Sequence, residues 1–349
     1  MLGIIEHKQP DRIRLQANAG RFNFSFNNAK NRFWIFPAGT VLYSDGVTAI
    51  ATSTAQQPDV TIPVGGGDVW LRANFGGNFS MNDNNTDAGY VGALADLQGK
   101  ITYFLDLANC AHVTGDLSDL QGKITYFLRL INCANVTGDL SDLQGKITYF
   151  LDLFNCAHVT GDLSDLQGKI THYLDLSNCA NVTGDLSDLQ GKITYYLNLF
   201  NCAHVTGDLS DLQGKITYLL SLSNCANVTG GLSDLQGKIT YYLNLLNCAH
   251  VTGDLADLQG KITTSLILYN CANVTGVYTP VGAGTPTITA LSNTGLSATD
   301  MDNTLIAYAA ATKNNGSFTA TGMTRTAASD AAVATLTGRG WTISGITKV

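Results

Sequence analysis

Several things are scarce or missing in this 349-residue chain, and each absence narrows its function. Only 13% of the residues are charged, and the balance is acidic, with a formal net charge of -7. An acidic chain without basic blocks repels phosphate backbones, so nucleic acid is not an expected partner. No apolar run approaches the ~18–20 residues that cross a bilayer as a helix, so no membrane insertion is expected. The opening MLGIIEHKQPDRIRLQ has no basic start, long apolar core or small-residue cleavage site. It does not read as a secretory leader, and synthesis and folding in a reducing cytoplasm are expected. No Ser/His/Asp set, H-E-x-x-H or phosphate-binding loop occurs. An enzyme is therefore not expected, nor any cofactor or metal.

Repetition is abundant. The cysteines Cys110, Cys133, Cys156, Cys179, Cys202, Cys225, Cys248 and Cys271 are spaced 23 residues apart. Such regularity marks one position of a repeating unit rather than a disulfide framework. Eight copies of D-L-Q-G-K-I-T-x-x-L-x-L-x-N-C-A-[HN]-V-T-G run from Asp96 to Gly276, after a leading fragment GALADL. Leu105 and Leu107 alternate with Phe104, Asp106 and Ala108, so period two puts the leucines on the core side of a strand and the others outward. Gly99 and Gly115 read as turn residues. Between turns, TGDLSDLQGKI is too short and Gly-broken for a long helix. Extended segments and short 3₁₀ pieces are expected there, with Ile101, Leu117 and Leu120 completing the core.

The unit L-x-L-x-N-C-A-x-V-T-G resembles the leucine-rich repeat, closest to its cysteine-containing and plant-like variants, over about half the chain. Val113 follows Cys110 by three residues where the commonest form has two. The resemblance implies a β-rich α/β solenoid with few helices: a horseshoe with a parallel sheet on its concave side and a role in binding.

Stacked copies place each side chain on its own counterpart. The Cys110 column is expected as buried free thiols, and the Asn109 column as an amide ladder. The recurring Asp96 and Lys100 columns are expected to interleave as a solvated ion-pair network. His112, His158, His204 and His250 alternate with Asn135, Asn181, Asn227 and Asn273, a 46-residue period that suggests growth by duplicated pairs. Histidines two coils apart, ~10 Å, cannot share a metal at normal bond lengths, and His–Asn hydrogen bonding is the expected alternative.

Variation concentrates on the predicted strand. The outward residues form an aromatic edge and a polar or acidic middle suited to a protein or glycan ligand: Phe104, Asp106, Phe127, Arg129, Phe150, Asp152, Phe154, Tyr173, Asp175, Tyr196, Asn198, Phe200, Tyr242, Asn244 and Tyr269. Exposed convex letters such as Gln98 hardly vary, which argues against drift alone.

Three segments follow. Residues 1–88 read as a β-sandwich-like domain for attachment, ending in an edge strand (Val69 to Ala73) that caps the solenoid. NDNNTD (Asn82 to Asp87) lacks the glycine and glutamate of a calcium loop and reads as a plain loop. Residues 89–276 are the solenoid. Residues 277–349 read as an α/β cap, with a helix starting at Ser297 or Thr299 and stopping at Gly316, a second helix, and strands TITAL, SFTATG and WTISGI. Its ending, TRTAASDAAVATLTGRGWTI, is similar to the C-termini of bacterial and phage-borne repeat proteins of the Bacteroidetes type. Together these suggest a virion or phage-tail-like receptor-binding protein, joined to other virion proteins through its N-terminal domain and forming a homotrimer. A bacterial surface adhesin and a purely structural spacer are the alternatives.

Overall fold

The computed structural model describes residues 93–97, 101–111, 113–120 and 122–349, together with the backbone of eight short strands between Arg12 and Met81. The chain divides into two compact units, Met1–Thr160 and Gly161–Val349, and the 23-residue period occurs in both. Residues Asn82 to Asp87, Asp96, Lys100 and His112, which carry the acidic-loop reading and the first members of three columns, lie outside the described residues or have undescribed side chains.

In the first unit, the β-reading of the N-terminal region holds. Arg12–Ala17, Gly67–Arg72, Val41–Tyr43 and Ala49–Thr52 form a four-stranded antiparallel sheet in that order, and Arg21–Phe22 pairs with Val60–Thr61. The expected capping strand is corrected. Gly67–Arg72 is interior, paired on both sides. The strand that covers the first repeat is Asn78–Met81, which lies parallel to Phe104–Asp106 with Phe79 opposite Leu105. Asn78–Met81 lies 26 residues upstream of Phe104–Asp106 and so falls out of the period.

Each repeat then builds one coil. Its first strand has three residues, as in Phe104–Asp106, Phe127–Arg129 and Phe150–Asp152, which pair in parallel and in register. The second unit continues the pattern from Tyr173–Asp175 to Ser265–Ile267. The strand stops because the chain turns left-handed at the repeat asparagine, with φ between 59 and 65° in all eight copies. Asn tolerates this conformation better than any other side-chain-bearing residue. Its amide also serves the stack. The Nδ2 atoms of Asn132, Asn155, Asn201, Asn224, Asn247 and Asn270 donate to the Oδ1 one repeat earlier at 2.5–2.7 Å, in both units, which is the expected ladder.

Beyond the cysteine, V-T-G forms a second strand where only extended chain and turns were expected. Thr114–Asp116 pairs with Asn135–Asp139, and Asn181–Asp185 begins a run of parallel strands to Asn273–Thr275. The coil is thus closed by two parallel sheets. The V-T-G glycine has φ of 107–116° in the first seven copies and 79° at Gly276, and a Cβ on Gly184 would come 2.6 Å from the Leu163 amide of the coil before. Backbone conformation and close approach both demand glycine there.

A 3₁₀ turn, L-S-D-L, follows and is capped at both ends. Asp139 accepts the Ser141 N–H, Asp142 accepts the Asp139 N–H, and Gln144 closes the turn in the left-handed region. This is a compact capping box. It overturns the expected ion-pair network: among the described residues, no repeat lysine pairs with a carboxylate, because the Asp119 column is committed to backbone amides. A local backbone donor outcompetes a flexible, hydrated lysine one coil away. The cap aspartates also tie coils together, accepting the hydroxyls of Thr137, Thr160, Thr183, Thr206 and Thr229 from the following repeat at 2.9–3.0 Å. These bonds hold the Asp116, Asp139, Asp162, Asp185 and Asp208 carboxyls below the ordinary range, led by the backbone N–H.

The second unit ends in longer coils. Ile288–Ala290, Ser317–Arg325 and Thr342–Lys348 extend the parallel sheet, and two helices, Ala298–Ala310 and Asp330–Gly338, replace the 3₁₀ turns. Ser297 caps the first helix with Asp300 in a reciprocal box, as expected. Gly316 does not stop it: the helix ends at Ala310, and Gly316 lies where a Cβ would come 2.5 Å from the Trp341 ring. Tyr308 is fully buried, edge-on to Phe318 and Trp341.

One copy lacks its cap. Gly231 replaces the aspartate, so the Ser233 amide loses its acceptor and Thr252 keeps only the Gly230 carbonyl at 3.4 Å. Gly231 has ordinary extended φ of -101°, and a Cβ would meet nothing closer than 3.2 Å. Gly231→Asp is expected to stabilise the protein by about 1 kcal/mol through the cap and the lost glycine entropy. Thermal unfolding followed by circular dichroism measures this. Because cap aspartates titrate low, the gain is present at neutral pH and disappears as pH falls through the depressed carboxyl range.

Candidate functional site

The cysteine column comes first because it is the largest set of reactive side chains. All eight are free and fully buried. The described thiols of Cys133, Cys156, Cys202, Cys225, Cys248 and Cys271 each donate to the leucine carbonyl 26 residues earlier at 3.0–3.2 Å. Burial pushes Cys156, Cys225, Cys248 and Cys271 up to about 12. They are structural donors, not nucleophiles. Along the turn rim, His158, His204 and His250 are exposed and their imidazoles make no hydrogen bond among the described residues, while the side chains of Asn135, Asn227 and Asn273 donate to the alanine carbonyl of the preceding coil. The expected His–Asn bonding is replaced by side chain to backbone. Among the described residues, no cluster of His, Cys, Asp or Glu is placed to hold a metal.

The outward face of the first strands is where the copies differ, and it forms four rows. At the strand entry, Tyr103, Tyr126 and Tyr149 stack in the first unit at 4.7 Å. His172, Tyr195, Tyr218 and Tyr241 do so in the second at 4.3–4.7 Å. Next, Phe104, Phe127 and Phe150 stack at 4.2 Å, and Tyr173 on Tyr196 at 4.0 Å. Most of these rings are half-buried, with Tyr103 and Tyr241 exposed, and stacking uses their faces. What solvent meets is mainly ring edges.

The third row was expected to be the open polar middle. Instead Asp106, Asp152, Asp175, Ser221 and Asn244 are 2–8% exposed, and Arg129 and Asn198 are half-buried. Their polarity has a local use. Asp106, Asp152, Asp175, Asn198 and Asn244 each accept the backbone N–H two residues on, at 2.9–3.2 Å. This Asx-type bond fastens the strand end before the asparagine turn. The signal was present in the sequence as a recurring Asp, Asn or Ser at one place, but a ligand-facing row gives the same letters. The fourth row contains the half-buried Phe154, Phe200 and Tyr269, with the buried Ser177 and Ser223 between bulky neighbours.

Two clusters have spare polarity. In the first unit, Arg129 lies between Asp106 at 3.7 Å and Asp152 at 3.8 Å. Burial raises the Asp106 carboxyl, against the opposing pull of the Ala108 N–H and Arg129. In the second unit, Asp175 accepts from Tyr196 Oη and Asn198 Nδ2, both at 3.0 Å, and Ser177 donates to the same carboxylate. Asn244 Nδ2 donates to Tyr242 Oη at 3.1 Å.

No known protein-family model matches the chain, and no curated protein matches it in sequence. Parallel strands recurring every 23 residues, with their constant leucine, asparagine and cysteine columns, fit a solenoid of leucine-rich-repeat type. The two parallel sheets and two described helices make it a β-rich α/β repeat fold.

Two tests follow from this geometry. In native protein at pH 8, a thiol reagent such as an aromatic disulfide is expected to titrate none of the eight cysteines, and all of them after unfolding in guanidinium. Arg129→Ala is expected to cost roughly 2 kcal/mol at neutral pH in denaturant unfolding, less than for a fully buried pair because Arg129 is 32% exposed. The loss shrinks as pH falls through the raised Asp106 value, since a protonated carboxyl no longer needs the cation.

Proposed function

We propose that this chain is a non-enzymatic recognition protein, a virion or phage-tail-like component that engages a protein or glycan on a host surface through the outward rows of its repeat strands. The observation that carries this reading is the division of labour within each repeat. The constant leucine, asparagine, cysteine, glycine and aspartate columns build the coil, whereas the outward rows change from copy to copy on a rigid, pre-stacked support. Rigid aromatic and amide side chains bind with little loss of side-chain entropy. The similarity of the C-terminus to phage-borne repeat proteins supports the virion setting, with residues 1–88 as the attachment domain and a homotrimer as the assembly.

The test uses labelled full-length protein on host cells. Phe104→Ala with Phe127→Ala in the first unit, and Phe200→Ala with Tyr242→Ala in the second, are made as separate double variants. At least one is expected to bind about tenfold more weakly, as loss of aromatic anchors does. Unchanged binding by both supports the spacer alternative. Particles whose solenoid residues 96–276 are deleted are expected to lose adsorption, and unchanged adsorption overturns the virion assignment.

A further inference from the structure

The aromatic row of the second unit is interrupted once. In register, Tyr196, Leu219 and Tyr242 stand side by side, as do Asn198, Ser221 and Asn244. The backbone pairing continues beyond the strands, Asn201 N–H to Ser223 O and Asn224 N–H to Leu246 O, so Phe200, Ser223 and Leu246 are neighbours too. The repeat containing Leu219, Ser221 and Ser223 therefore has no outward ring in these three rows, and its two innermost outward residues are serines. Tyr196 stacks on Tyr173 on its other side, and among the described residues no ring stacks on Tyr242, which stands between Leu219 and Ser265. Elsewhere in this row, from Phe104 to Phe150 and from Tyr173 to Tyr196, ring faces are used up by neighbouring rings. Here two tyrosine faces border a gap.

A second observation is independent of the rings. Ser223 Oγ is buried, the residue being 1% exposed, and has no hydrogen-bond partner. A hydroxyl left unpaired in that way is destabilising. Its counterpart Ser177 donates to Asp175. Ser223 has Ser221 in the equivalent place, too short and uncharged to serve. The half-buried Phe200 and Leu246 flank it in the row.

We infer that the Leu219–Ser221–Ser223 repeat is a subsite for one neutral hexose unit of a glycan, held between Tyr196 and Tyr242 with Ser223 Oγ at its floor. This rests on the recognition reading above. Tyr196 and Tyr242 stand two strand spacings apart in one row, about 9.6 Å, with the half-buried Leu219 between them. A pyranose stacked on one tyrosine face takes about 3.5–4 Å of that span and sits over the shorter Leu219 side chain. The groups around the slot are Asn198, Asn244, two phenol hydroxyls and Ser223, all neutral. The nearest carboxylate, Asp175, is one coil removed and already accepts from Tyr196 and Asn198. Neutral hydroxyls that can both donate and accept suit this set, and the C–H face of a pyranose suits the tyrosines. A purely aromatic peptide side chain would fill the gap yet leave Ser223 unpaired.

The repeat one coil earlier supplies the decisive variant. Leu219→Tyr, Ser221→Asn and Ser223→Phe together write that repeat's strand into this one, restoring the stack with residues the fold already accepts. Full-length protein and this variant are compared on an array of neutral hexose glycans and methyl hexosides, with thermal unfolding as the check on folding. Retention of a neutral hexose by the parent, weakened tenfold or more in the triple variant and several-fold in Ser223→Ala, with the cap variant Gly231→Asp unchanged, supports the subsite. Equal retention by parent and triple variant, or no neutral hexose retained by the parent, overturns it. The triple variant keeps Phe200 and Tyr242, so host-cell binding that survives in it, while the double variants above lose it, removes the slot and leaves the broader recognition reading standing.

Discussion

Every column of this protein must tolerate its own image one strand spacing away, ~4.8 Å along the stack. That single constraint selects the residues. Leucine, isoleucine and valine satisfy it by packing, with the core columns 0–4% exposed. Asparagine satisfies it because its amide donates on one side and accepts on the other, and the thiols do so by donating to a carbonyl of the earlier coil. Charges satisfy it worst. The aspartates persist only because backbone amides and threonine hydroxyls neutralise the repulsion of neighbouring copies, and burial of the same groups in apolar surroundings would be untenable.

Much of the coil was legible for this reason. The period of Cys110 to Cys271, the inward leucines, the Asn ladder, the free thiols and the Ser297 cap all follow from letters that repeat or from local capping chemistry. Three things were hidden. The Val113–Thr114–Gly115 segment reads as a turn because its glycine needs positive φ, yet a strand can contain such a residue when neighbouring coils press close. Asp119 and its equivalents look like partners for lysine because sequence shows charge but not which donor is nearest. Asn78–Met81 was missed because its spacing departs from the period.

For the candidate site, the sequence located the variable rows but not their depth. Asp106, Asp152 and Asp175 vary and are polar, which resembles a ligand-facing pattern, but a three-residue strand flanked by aromatic and bulky rows leaves its centre under cover. Recognition by such a face relies on ring edges, on the few gaps between rings, and on whatever polarity the Asx bonds leave over. Rigidity comes with it: side chains already stacked on one another have little freedom left to lose.

The asparagine ladder does not end with the repeats. Asn293 Nδ2 donates to Asn270 Oδ1 at 2.8 Å, and Thr294, occupying the place of the cysteine, bonds the Leu291 carbonyl and lies against Met323. The last coil is thus an adaptor whose one side speaks the language of the repeats and whose other side belongs to the helical cap. A coil added or removed between the two ends leaves the chemistry of either junction unchanged and alters the length of the stack by one strand spacing, ~4.8 Å.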